Sequence, residues 1–158
     1  MKSLVRQIEA AVIAILKDDL EEKAKVSGFR ESVETGLVKQ DSGDGRPEVL
    51  VAVTPGVSDS YGSDILTFEV ALSIRCDFED DPTIAVFDEV AAVVERRLMI
   101  FNSQSARADV AKKLTTENFD CAGLTLRGGQ DTALISMDQS STVTTVMNFA
   151  VRGVFNNN

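Results

Sequence analysis

The segment ILTFEVALSIRCDF, Ile65 to Phe78, limits what this chain can fold into more than any other stretch. Leu66, Phe68, Val70, Leu72, Ile74, Cys76 and Phe78 are apolar at every second position; Thr67, Glu69, Ser73, Arg75 and Asp77 between them are polar, and Ala71 is ambiguous. Side chains on a strand alternate between faces, so this period of two specifies one long strand with a buried side and a wet side. Fourteen residues at about 3.3 Å each reach roughly 45 Å, enough to cross a small domain. A second long run, TVTTVMNFAVRGVF from Thr142 to Phe155, carries Val143, Met147, Phe149, Val151 and Phe155 on one side, with Thr145 and Gly153 interrupting it. Two strands of comparable length are expected to be antiparallel neighbours in one sheet.

Between and before them lie helices. From Ser3 to about Lys25, Leu4, Val5, Ile8, Ala11, Val12, Ile15, Leu16 and Leu20 recur at three- and four-residue spacing, with Ser3 as N-cap and Gly28 as the stop. The charged run KDDLEEKAK reads as the solvated end of that helix. Asp81 followed by Pro82 is a start signal for a second helix, whose apolar residues Ile84, Val86, Phe87, Val90, Ala91, Val93, Val94 and Leu98 make a broad face to about Ile100. SARADVAKKLT, Ser105 to Thr115, predicts a shorter, more exposed helix. The remaining strand signals are a ragged FRESVETGLV, a firm EVLVAV from Glu48 to Val53, LTLR from Leu124 to Arg127 and ALISM from Ala133 to Met137. DSGDGRP, Asp41 to Pro47, and TPGVSDSYGSD, Thr54 to Asp64, are loops; Gly128-Gly129 is a hairpin turn, and the terminal FNNN is expected to fray from about residue 156. The order gives a single α+β domain over residues 1–158, with a mostly antiparallel sheet, two long strands, and helices packed on one face.

Charge and composition narrow the function classes. Twenty-five acids against 16 bases give a net charge of −9 with no histidine, the wrong sign for gripping nucleic acid phosphates. The longest uninterrupted apolar run, Ala10 to Leu16, is far short of a membrane span, and Lys17, Asp18 and Asp19 follow it instead of a cleavage site. The chain therefore reads as a cytoplasmic product that keeps its first residues. Cys76 and Cys121 have no CxxC spacing and read as two free thiols at strand positions; whether they face one another is open.

No reaction centre announces itself. Without histidine there is no Ser-His or Cys-His pair. Asp77, Glu79, Asp80 and Asp81 cluster at a strand-to-helix junction, where capping and the positive end of a helix account for acids as well as a metal would. DSGDG lacks the alternating ligands of a calcium loop, and Gly128-Gly129 lacks the GK[ST] of a phosphate loop. No catalytic, cofactor-binding or metal-ligating residue is assigned. Loops are where partners are met, so Asp41, Asp44, Arg46, Asp59, Tyr61 and Asp64 are the candidate partner-contact residues.

The order of segments resembles the tail terminator, or tail completion, proteins of long-tailed bacteriophages: SLVRQIEAAVIAILK, then EVLVAVTPG, then ILTFEVALSIRC, then TIAVFDEVAAVVERRLM, then TTVMNFAVRGVF. The resemblance lies in the order and character of segments across most of the chain, not in an invariant motif. It implies a non-enzymatic α+β subunit of the virion tail, assembled in the host cytoplasm as a ring of copies, hexameric in that family, without cofactor or membrane. Such a ring sits on the tail tube, ends its polymerisation, offers the surface for the head-tail connector, and lets DNA pass without specific binding. The competing expectations are a neck or head-closure connector of the same particles and, from other classes, a small acid-only or metal-dependent enzyme and a non-viral oligomeric regulatory or binding module.

Overall fold

The computed structural model describes residues 3–30, 45–54, 56–58, 64–77, 84–98, 104–126, 133–137 and 142–156. Helix α1 (Leu4–Leu20) is capped as its sequence requires: the Ser3 hydroxyl accepts the Arg6 N–H at 3.4 Å and the Ser3 carbonyl accepts that of Gln7 at 3.0 Å. It ends earlier than its charge run implies. Glu21 turns to φ 49° and donates its N–H to the Lys17 carbonyl at 3.0 Å, so the expected stop at Gly28 is displaced. Lys25 and Gly28 instead bound a short strand, β1 (Lys25–Gly28), which the sequence does not signal.

Strand β2 (Glu48–Val53) runs parallel to β1 and antiparallel to β4 (Ile65–Asp77), and a two-residue strand, β3 (Val57–Ser58), pairs with β4 inside what reads in sequence as a plain loop. Helix α2 (Ala85–Leu98) follows; the expected start at Asp81-Pro82 lies outside the described residues. Ile84, at φ 51°, accepts the Asp88 N–H at 2.9 Å. A β-branched residue in the left-handed region is strained, so the corner is held by the packing around it. The face of α2 is narrower than its sequence implies: Phe87, Val90, Val94 and Leu98 are buried, while Val86 is 40% exposed. Helix α3 (Gln104–Leu114) buries only Val110 and Leu114, in keeping with its polar sequence.

Strand β5 (Phe119–Leu126) begins five residues before the predicted LTLR, and β6 (Ala133–Met137) and β7 (Thr142–Phe155) complete the sheet. FRESVETGLV beyond Arg30, the Gly128-Gly129 turn and most of the Asp41–Pro47 loop lie outside the described residues. The expected fraying does not reach Asn156, whose N–H donates to the Asn118 carbonyl at 2.8 Å and whose amide donates to Asp120 Oδ2 at 2.7 Å.

Among the described residues the sheet is a mixed, mostly antiparallel seven-stranded one, ordered β1-β2-β4-β7-β5, with the single parallel pair at β1 and β2. Its axis is the β4–β7 pair, in register from Ile65 opposite Val154 to Asp77 opposite Thr142. Shorter strands tile each flank end to end: β2 lies on residues 70–75 of β4 and β3 on 66–67, while β5 lies on 149–155 of β7 and β6 on 143–147. One face carries Phe68, Val70, Leu72, Ile74 and Cys76 of β4 with Val143, Met147, Phe149 and Val151 of β7. They share one core with Ile8, Val12, Leu16 and Leu20 of α1 and the buried residues of α2 and α3. The α+β class with helices on one face is what alternating strands require: each period-two face needs one apolar cover.

The two interruptions of β7 both sit on the covered face. Thr145 is 1% exposed with its hydroxyl unpartnered. At Gly153 the Phe119 ring takes the space that a side chain would fill. Cys76 is opposite Val143 and Cys121 opposite Gly153, ten residues apart along β7 and thus about 33 Å, so the two thiols do not meet.

Candidate functional site

Of the six candidate contact residues, Asp41, Asp44, Asp59 and Tyr61 lie outside the described residues. Arg46 and Asp64 are described, and the structure sets them at opposite ends of the sheet. Arg46 precedes Glu48, whose partner is Arg75 near the end of β4, and its guanidinium donates to the Glu22 carbonyl at 3.5 Å. Asp64 is exposed just before the first residue of β4, and its carbonyl accepts the Phe155 N–H at 2.8 Å. Thirteen strand residues separate the two levels, roughly 40 Å, so they do not form one site. Asp77, from the acidic cluster, ends β4 opposite Thr142; Glu79, Asp80 and Asp81 lie outside the described residues.

The sheet face turned away from the helices is wet. Glu69, Arg75, Asn148, Arg152 and Val154 are exposed on it, with Leu50, Ala71, Ser73 and Val146 half-buried between them. Charges alternate across strands: Lys25 faces Glu48, and Glu48 faces Arg75. Such cross-strand pairs stabilise a sheet modestly and leave this face nearly neutral.

Positive charge concentrates elsewhere. Arg97, in the last turn of α2, bridges α2 to α1 and α3: its Nε lies 2.9 Å from Asp19 Oδ2 on α1, and its Nη2 lies 2.9 Å from Asp109 Oδ2 on α3. Lys113 adds a contact at 3.4 Å to the same carboxylate, and the Arg97 hydrogen bond holds the Asp109 carboxyl below its usual range. Beside Arg97 a cleft of about 420 Å³ opens between α2, α3 and the Ala122, Gly123 and Leu124 segment of β5. Arg107, exposed on α3, lines it and makes no ion pair or hydrogen bond with a described residue, and Gln104 stands at its rim. Its helical wall includes Ala108 and Ala111.

β5 bulges where it lines the cleft. Cys121 is opposite Gly153 and Gly123 is opposite Arg152, so Ala122 is an extra residue that kinks the strand. The Cys121 N–H donates to Thr115 Oγ1 at 3.1 Å, tying the bulge to the end of α3. Burial pushes the Cys121 thiol up to about 11. No described strand pairs with β5 on the side away from β7.

Chemically, one guanidinium that no described residue neutralises, a second already neutralised by carboxylates, and a floor of small residues favour an anionic, extended ligand over a reactant. Sequence reasoning passed over this place. Arg97 and Arg107 are ten positions apart on two helices, and only the packing of those helices beside β5 brings them to one cleft. Among the described residues no group of three or more His, Cys, Asp or Glu converges as a metal-ligand set, and no described helix is long and apolar enough to cross a membrane. Compared with known protein-family models and with curated proteins, the chain matches none.

Proposed function

We propose that this chain is a structural subunit of a phage-type tail that assembles as a closed ring on the end of the tail tube, stops its growth and presents the surface on which the head-tail connector docks. The observation that carries the reading is the full-length pairing of β4 and β7, thirteen register pairs with shorter strands tiled on both flanks. That arrangement makes a stiff plate about 40 Å long, with one side anchored to helices and the other covered by no described helix. A plate of this kind suits a building block, and the order of its segments is the one that resembles tail terminators. The β5 edge needs management, and closing a ring of copies is one way to cover such an edge.

Passage of DNA fits the overall charge of −9, since the sign opposes phosphate attraction. That acidity is not carried by the free sheet face, where Glu48, Glu69, Asp77 and Asp120 are set against Lys25, Arg75 and Arg152. The reading assigns the chain no reaction, cofactor or membrane contact, and places it in the virion tail. Cosedimentation of the purified chain with preformed tubes of the cognate tail-tube protein tests it. Binding that scales with the number of tube ends, not with tube mass, is expected; absence of binding, or binding along the whole length, rejects it.

A further inference from the structure

We infer that the arginine cleft between α2, α3 and β5 is the socket for the acidic run at residues 77–81 of a neighbouring copy, an assignment that rests on the reading of the chain as a ring subunit. Two placements carry it. The cleft holds Arg107, which no described residue neutralises, beside Arg97. In the same chain Asp77, Glu79, Asp80 and Asp81 are four acids in five residues.

The run does not reach the cleft of its own chain. Asp77 is opposite Thr142, whereas Gly123, on the cleft wall, is opposite Arg152. Ten residues of β7 lie between those levels, about 33 Å, and the four residues from Asp77 to Asp81 span at most about 14 Å. The socket and Asp77, where the run begins, therefore lie toward opposite ends of the sheet. A contact between two unlike patches on identical chains is heterologous, the kind that closes into a ring when its rotation permits and never into a simple twofold dimer.

The cleft suits an extended acidic segment. Ala108, Ala111, Ala122 and Gly123 leave room for a backbone to approach, and the neighbouring β5 edge has no described strand partner. Gln104 at the rim belongs to the first turn of α3, whose N–H groups add positive potential. For a chain of net charge −9, association with itself is opposed by like charge except where unneutralised cations meet acids, and this cleft is such a place.

The test is fluorescence anisotropy of a labelled peptide, DFEDDP, titrated with the full chain. Saturable binding is expected that weakens about tenfold or more on going from low to high salt and in Arg107→Glu. Arg75→Glu, the same charge change on the free sheet face, is expected to bind the peptide like the wild type, and the neutral peptide NFQNNP to bind at least about tenfold more weakly. Arg107 is exposed and has no ion pair with a described residue, so circular dichroism of Arg107→Glu should match the wild type, which separates lost binding from lost folding. No peptide binding, equal binding of the neutral peptide, or Arg107→Glu binding like the wild type overturns the socket. Capping of tubes without peptide binding rejects the socket alone; peptide binding without capping rejects the tail reading and leaves the socket.

Discussion

Phe119 occupies the space that a side chain on Gly153 would need: a Cβ there would lie 2.5 Å from Cζ of the ring and would also collide with the Asp120 carbonyl. The same ring meets Phe68 edge to face, with centroids 5.3 Å apart and planes at 87°. Through this contact β5, β7 and β4 are locked together at one end of the sheet. Gly153→Ala is therefore expected to cost about 2–3 kcal/mol in urea unfolding, as overpacking does. Phe119→Ala alone costs about 3–5 kcal/mol. In the Phe119→Ala background the glycine substitution costs less but not nothing, because the carbonyl collision remains. Additive costs would show that ring and glycine are not coupled.

Thr145 is the other irregularity of β7, a hydroxyl in an apolar core with no hydrogen-bond partner. Thr145→Val keeps its shape and removes the unpaired group, so stability should rise by about 1 kcal/mol. A loss of stability would mean that the hydroxyl has a partner in solution.

Arg97 ties α1 to α3 through Asp19 and Asp109. Arg97→Ala is expected to lower the thermal midpoint by roughly 2–4 °C at neutral pH. The Arg97 hydrogen bond holds the Asp109 carboxyl below its ordinary value, so its contribution is present above the unfolded-state pKa and is lost as pH falls through the folded one. Asp109→Asn should therefore lose stability less steeply than the wild type below about pH 4, and match its slope above pH 5. Identical slopes in acid would remove Asp109 from the titration.

Cys121 is a partly buried thiol whose pKa is pushed from 9.0 to about 11. Two units mean about one hundredfold less thiolate at pH 8, so alkylation by iodoacetamide should run about one hundredfold slower than for an exposed cysteine. Modification at the rate of a free thiol would place Cys121 at the surface.

The long strands were legible because each keeps one period over a dozen residues or more, and their neighbourhood followed from equal length. β1 was not, since Lys25, Val26, Ser27 and Gly28 are too few to show a period and follow a helix without a break in composition. The early start of β5 was hidden for a related reason: Ala122 is an extra residue, and a bulge shifts the alternation by one. Gly153 read as a flaw in β7, whereas it is the position that Phe119 requires. The candidate contact residues share only their place in loops, and the two that are described, Arg46 and Asp64, stand roughly 40 Å apart. The arginine cleft is a tertiary feature of two helix ends and a bulge, and no window of sequence contains it.

The role at the tube end is tested most directly by the length distribution of tail tubes, measured by electron microscopy, when the cognate tube protein polymerises with increasing amounts of this chain. The account predicts tubes that shorten as the chain is added and carry it at one end only. Tubes of unchanged length, with the chain absent from their ends, would contradict it.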